Sequence, residues 1–511
     1  MKEAGLRKLK NASELQKRKE LEPGVFRLWE HFLNITHIPR QSGHEGPMTD
    51  FLMRFGAERV NRGVETFRDE TGNVLMIIPS SRGCENKPKL ILQGHQDMVC
   101  ENIKSRPSPA ENGVQAYVTK DGKRVKAKGT TLGADNGIGV SSLLSLADEN
   151  IEHGQLALLF TVSEETGLDG VRKMKFDHDF TKYQALINID SEDEGKATIG
   201  CAGGGNSLIS QPIERISSQG KKLMRIELSG GEGGHSGIEI AKKRANALKE
   251  LNSALTRISG SHKLNLVSLE AGKIENEVPV RNAIPSHAEA VIAINPEDEA
   301  KIRTALRKEK RLLKERFKKE KLGFSFKEAE DQSSEMMTDK SSYFAAQLIN
   351  DLPHGVYGWQ QKPDGGRMPS LSTNLAIVRT EAKAVKIDLM SRSSNDEALE
   401  TFRQSISKLA HEYGAATINT DPYPAWNPPG DLPLYDFAKE VYKKLFNRKL
   451  KTSKTHGGLE LGFFNKMWGD MPMLSIGPTI KDAHSVKESV LIPSVTRFYK
   501  YLTAMVAEMA R

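Results

Sequence analysis

Four short apolar runs alternate with segments of helical spacing through the first two hundred residues: NVLMIIP (73–79), KLILQGH (89–95), ALLFTVSEE (157–165) and ALINID (185–190). Helical spacing falls at 26–35, 46–62 and 139–150. Runs without a polar face predict strands buried on both sides, and the intervening helices supply the cover. The chain therefore reads as α/β, with a mostly parallel central sheet covered by helices on both faces. A length of 511 residues exceeds what one hydrophobic core holds.

The pattern changes after the glycine cluster CAGGG (201–205). RIELSG (225–230), a helix over 240–255, HAEAVIAI (287–294) and a helix over 298–319 follow, then NLAIVRT (374–380), AVKIDLMS (384–391) and a helix over 395–413. Together they read as an α+β unit. DPYPAWNPPGDLP (421–433) is a proline- and glycine-rich connector. Helix–strand alternation then resumes, with MPMLSIG (471–477) as one more buried strand. The expected organisation is a first domain of residues 1–206, opening on a charged extension at 1–23, an inserted domain at 207–421, and a return to the first domain at 422–511.

Charge and cysteine usage narrow the function. The excess of 74 basic over 66 acidic residues gives +8, yet bases and acids are interspersed. The most basic stretch, RKEKRLLKERFKKEK (307–321), carries acids among its bases and leucines at helical spacing, so it reads as a solvated helix face rather than a nucleic-acid patch. Cys84, Cys100 and Cys201 are too few and too oddly spaced for a disulfide framework, which points to a reducing, cytoplasmic home. The N-terminal stretch lacks the apolar core of a targeting peptide, and an apolar run such as LALLFTV (156–162) has strand length, so no membrane segment is expected.

The polar residues at the strand ends carry the chemistry. His95 and Asp97 are two apart in an extended segment and share a face. Asp135 sits in the glycine-rich turn GTTLGADNGIGV (129–140), where by itself it reads first as a helix cap. Adjacent Glu164 and Glu165 end one strand, Asp190 ends another, and His484 lies just beyond MPMLSIG. One acidic strand end is an ordinary solvated loop. Four of them with two histidines, at the carboxyl ends where α/β sheets collect ligands, make a ligand set for divalent metal, zinc first and manganese or cobalt next.

In order along the chain, GHQDMV, GTTLGADNGIG, SEETG, NIDSE, GGHSG, RNAIP, HGGLELGFF and SIGPTIKDAHS resemble the motifs of aminoacyl-histidine (Xaa-His) dipeptidases. These are dinuclear-zinc metallopeptidases related to carboxypeptidase G2-like enzymes and aminoacylases. The resemblance runs from about residue 25 to the C-terminus. It implies two zinc ions per subunit, one held by His95 and Asp190 and the other by Glu165 and His484. Asp135 would bridge them, with a cis peptide to Asn136, and Asp97 would fix the tautomer of His95. Glu164 would be the general base for a metal-bridged hydroxide, and His235 would stabilise the oxyanion.

The same resemblance gives Arg392, Asn282 and Asn374 the substrate carboxylate. It gives the loop of His456 and Glu460 a substrate contact, with Glu460 receiving the amine. The residues alone leave surface, turn or helix-start readings open for all five. A homodimer through the inserted lid domain is implied, with lid closure bringing His235 and Arg392 to the metals. The substrate class is small peptides, and neither nucleic acid nor membrane is expected as a partner. Competing readings are an N-acyl amino acid deacylase or tripeptidase on the same fold and, from another class, a basic RNA-associated scaffold.

Overall fold

The computed structural model describes residues 22–511 except 276–277, 330–332, 429, 431 and 470. Most of the expected charged extension at 1–23 lies outside the described residues. Two compact units emerge. The first comprises residues 1–200, 426–454 and 459–511; the second comprises 201–425 and 455–458. Residues 203–205 of the glycine cluster open a ten-residue strand, Gly203–Pro212, so the second unit starts at that cluster rather than after it. Residues 455–458, which the sequence groups with the C-terminal segment, cluster with the second unit.

The first unit is built on an eight-stranded sheet. Its centre runs Leu156–Thr161, Leu90–His95, Ala185–Asn188 and Met473–Ser475, each pair parallel. Glu65–Arg68 and Val74–Ile78 continue one side antiparallel, and Lys196–Cys201 pairs antiparallel with Met473–Ser475 on the other. The four central strands pair in parallel. Leu90–His95 and Leu156–Thr161 are buried at every position, as strands sandwiched between helices must be.

The covering helices follow from their sequences. Pro23–Ile35 opens on a proline, whose missing N–H costs nothing in a first turn, and buries Val25, Leu28, Trp29, Phe32 and Ile35 along one stripe. Ala134–Leu146 is buried on nearly all sides, so it is a core helix; it packs against Pro23–Ile35 and the C-terminal helix Ile492–Met509. A second sheet of four short strands was not legible beforehand: Ala116–Val118, Arg124–Ala127, Ile480–Lys481 and Ser489–Leu491.

The second unit carries a nine-stranded sheet whose strands all pair antiparallel. In Lys222–Ser229 every second residue from Met224 to Leu228 is buried, the alternation of a sheet with one covered face. The helix expected from 240 begins at Ala247 instead. Lys243 takes a left-handed backbone and Asn246 caps the helix, its side chain accepting from the Lys249 N–H, so 240–242 form only a short 3-10 turn. The basic helix Glu299–Arg316 buries Ile302, Leu306 and Leu313 and turns most of its charges outward, while Glu309 is buried against Arg257. The stretch read as a connector from 421 starts inside the edge strand Ala416–Tyr423.

Candidate metal centre

Eight of the singled-out side chains lie in the first unit, most of them at the ends of its central strands. His95 closes Leu90–His95 with both ring nitrogens engaged: Nδ1 is 3.2 Å from Asp97 Oδ1, and Nε2 is 3.2 Å from Asp135 Oδ1 and 3.3 Å from Asp190 Oδ1. The other oxygen of Asp135 faces the second histidine, with Oδ2 3.1 Å from His484 Nε2. His484 Nε2 also lies 2.9 Å from Glu165 Oε1. Three overlapping groups therefore turn one donor atom each to within 4.8 Å of one another: His95, Asp135 and Asp190; His95, Glu164 and Glu165; and Asp135, Glu165 and His484. Asp135 stands between the two histidines.

His484 sits in the loop of a hairpin between Ile480–Lys481 and Ser489–Leu491, in a left-handed conformation at φ 60°. With 45% of its side chain exposed it forms the open side of the cluster, against 1% for His95. The peptide between Asp135 and Asn136 is cis. Asn136 donates from Nδ2 to Asp190 Oδ1 at 2.6 Å and to the Ile189 carbonyl at 2.9 Å, so it orients one of the carboxylates. A Cβ on Gly139 would lie 2.1 Å from Asn136 Oδ1, which gives the second half of GADNGIG a packing reason.

Asp97, fully buried, does more than orient His95. Its Oδ1 accepts from the Glu164 N–H and its Oδ2 from the Glu165 N–H, at 3.1 and 3.2 Å. Ser42 Oγ donates to the same carboxylate at 2.7 Å. Nearby, Glu45 Oε1 accepts from the Ser163 N–H and hydroxyl, holding a residue whose φ of 52° an L side chain rarely adopts. One buried carboxylate thus sets both a histidine and the backbone of the paired glutamates.

Below the cluster runs a buried polar chain that the sequence reading missed. The Asp190 N–H donates to Asn188 Oδ1, Asn188 Nδ2 donates to Gln93 Oε1 at 2.6 Å, and Gln93 Nε2 donates to Glu460 Oε2 at 2.5 Å. Thr161 Oγ1 donates to that same oxygen at 2.9 Å. Glu460 Oε1 is buried without a hydrogen-bond partner. The available signal was the presence of Gln93 and Asn188 inside runs that are otherwise apolar.

Electrostatics separate the members. Burial alone would lower the His95 pKa, but Asp190, Asp135 and Asp97 overturn it and hold the imidazole well above its usual value. Glu165, then Asp135, do the same for His484. Asp135 resists burial through its hydrogen bonds with His484 and His95 and stays well below the usual carboxylate range. Burial, then the charge of Asp135, pushes Asp190 up to about 6 against the pull of His95. Burial also raises Glu164 well above its ordinary value, reinforced by Asp190, Glu165 and Glu460 and opposed by His95. Glu165 Oε1 is buried and meets His484 Nε2 as an ion pair. Imidazole and carboxylate donors that converge to within 4.8 Å of one another fit a divalent metal, which is what such a donor set is suited to hold.

The remaining singled-out residues belong to the second unit. Arg392 and Ser372 are cross-strand partners; Arg392 Nη1 donates to Tyr423 Oη at 2.5 Å, and Ser372 Oγ is 2.7 Å from His456 Nε2. Burial, then the charge of Arg392, pushes His456 down to about 3. Asn374 donates both amide hydrogens to carbonyls, of Arg281 and Ala283, and so braces the loop that carries Asn282. The Asn282 carbonyl accepts from the Ser236 N–H, next to His235 at the head of the short helix Ser236–Glu239.

The sequence matches peptidase family M20/M25/M40 over residues 91–508. It is 34% identical over 486 residues to the cytosol non-specific dipeptidase of Escherichia coli K12, covering 94% of this chain and 97% of that protein. Among solved structures, the aminoacylhistidine dipeptidase of Vibrio alginolyticus superposes with a TM-score of 0.75 at 30% identity, covering 96% of this chain and 97% of that one. A tripeptidase from Staphylococcus aureus shares the fold with a TM-score of 0.55 at 16% identity, over 95% and 99% of the two chains.

Proposed function

The chain belongs to peptidase family M20/M25/M40, and from that premise we propose that it is a dipeptidase acting on unblocked dipeptides, Xaa-His types among them, with two zinc ions. One observation carries the reading: the two oxygens of Asp135 face His95 and His484 separately, as a carboxylate shared by two cations must. His95 and Asp190 would hold one ion, Glu165 and His484 the other. When bound, such a pair would polarise the scissile carbonyl and acidify the attacking water.

Glu164 takes the proton from that water and passes it to the leaving amine. Burial raises its pKa, which strengthens it as a proton acceptor. Asp97 keeps Glu164 and Glu165 in place through their backbone N–H groups. Burial pushes Glu460 up to about 8 despite His95 and its own hydrogen bonds, and a substrate ammonium against its unpartnered Oε1 would restore its charge. That preference for a free amine favours a peptidase over an N-acyl amino acid deacylase.

In the second unit, Arg392 is assigned the substrate carboxylate, whose two oxygens match a guanidinium fork. His235 is assigned the oxyanion, and Asn282, Asn374 and His456 the shaping of the same subsite. Three free cysteines support a cytoplasmic location. A homodimer is part of the proposal, checked by mass in solution.

The test is metal-stripped protein reconstituted separately with zinc, manganese and cobalt. It would be assayed on β-alanyl-histidine, Ala-His, Gly-Leu, a tripeptide and acetyl-amino acids. Metal-dependent turnover fastest on the free dipeptides is expected. Faster cleavage of acetyl-amino acids would transfer the chain to the deacylases, and turnover indifferent to metal would end the reading.

A further inference from the structure

Just behind the bridging carboxylate, residues 132–135 are gripped from both sides by a buried pair of opposite charges. Glu488, 2% exposed, accepts four successive backbone N–H groups. Leu132 and Gly133 donate to Oε2 at 2.7 and 3.0 Å, and Ala134 and Asp135 donate to Oε1 at 2.8 and 3.3 Å. From the other side Arg40, 1% exposed, donates from Nη2 to the Gly133 carbonyl at 2.6 Å. Its Nη1 donates to the carbonyls of Gln96 and Asp97, at 3.1 and 2.9 Å.

The Gly133 peptide therefore lies between a guanidinium and a carboxylate. Glycine is required there twice over: φ is 67°, and a Cβ would stand 2.5 Å from Arg40 Nη2. Two buried charges are expensive to keep unless they are well satisfied. Here both spend their hydrogen bonds on the backbone that carries His95, Asp97 and Asp135. Glu488 stands four residues after His484 and one before strand Ser489–Leu491, so the hairpin that delivers the second histidine also delivers the grip.

We propose that Glu488 is a positioning residue. By holding four consecutive N–H groups it sets the turn so that each oxygen of Asp135 meets its own histidine, with Arg40 as the counter-charge that ties the same turn to the His95 strand end. Glu488 thereby governs how tightly both metal positions bind. The inference rests on the two-metal reading.

A glutamine at 488 has one acceptor oxygen in place of two, so its amide NH2 would confront N–H donors. The experiment titrates Co2+ into metal-stripped full-length protein, following uptake by calorimetry and the Co2+ absorption band, for wild type, Glu488→Gln and Glu194→Gln. Glu194 is a control carboxylate whose oxygens accept from Tyr442 and Arg497. Wild type should take two Co2+. Glu488→Gln should bind both at least tenfold more weakly with an altered band, whereas Glu194→Gln should lower Tm and leave affinity and band unchanged.

If wild type takes two Co2+ and Glu488→Gln is indistinguishable from it, the positioning role is overturned. If wild type takes up no pair, the two-metal reading fails instead, and the role assigned to Glu488 falls with it for that separate reason. Should Glu488→Gln not fold, hydrogen exchange on metal-stripped wild type decides. Slow exchange at 132–135 supports the grip, and exchange as fast as in exposed turns removes it.

Discussion

His95 in the first unit and His456 in the second are both buried, yet their surroundings push them in opposite directions. Three carboxylates converge on His95 and raise its pKa. His456 meets a hydroxyl and the charge of Arg392, and burial carries it down to about 3. Burial alone favours the neutral ring in both cases. The difference lies in the neighbours: the first unit has gathered negative charge around its imidazoles, a surplus that only cations relieve. The second unit pairs a neutral imidazole with a guanidinium, an arrangement that receives an anion. On the proposed function, one unit holds metal and the other reads a carboxylate.

The largest effects should come from breaking the first half of that contrast. Glu164→Ala should lower kcat by about 10²–10⁴, the usual worth of a positioned proton carrier, while elemental analysis still finds both metals. Asp135→Ala should remove turnover through the opposite route, by loss of metal from both positions. A Glu164→Ala protein with near-normal activity would strip that residue of its role. An Asp135→Ala protein with full metal content would show that the carboxylate between the histidines bridges nothing.

A smaller effect should appear on the other half. Arg392→Ala should raise KM for dipeptides about 10–100-fold, the range of a lost hydrogen bond to a charged group, with little change for the corresponding dipeptide amides. Arg392 is buried and also donates to Tyr423, so circular dichroism must first establish that the variant is folded. Equal losses on acids and amides would move the carboxylate contact elsewhere.

How much of this was legible in the sequence depended on the range of the signal. The central strands and the strand-end acids were readable because buried strands leave unbroken apolar runs, and a charge at the end of such a run stands out. The hairpin carrying His484 and Glu488 was not, because its strands are two and three residues long and the second pairs with Arg124–Ala127, more than 350 positions away. Glu488 in KDAHSVKESV looks like any surface glutamate; only the fold places it against four N–H groups. Arg40 in HIPRQSG is equally silent. Gln93 and Asn188 were the missed opportunity, since a polar residue inside a fully buried strand must find a partner. The helix expected from 240 started late because the periodicity of IAKKRANALKE gives no weight to Asn246, a strong cap.

The smallest predicted effect tests the contrast between the histidines directly, through stability. His456 has a folded pKa of about 3 against an ordinary value of 6.5. Between those two values the unfolded chain binds the proton that the folded chain refuses. Stability therefore falls as pH drops from 6.5 toward 3, and the full contribution is present only above 6.5. His456→Gln keeps a polar group beside Ser372 and removes the titration. Relative to wild type, the variant should gain stability on acidification, by about 2 kcal/mol between pH 7 and pH 4.5. Urea unfolding of both proteins at the two pH values, followed by a signal from the second unit, measures it. A wild-type-to-variant difference that does not change with pH would mean that His456 titrates normally, and the opposition between the two imidazoles would be lost.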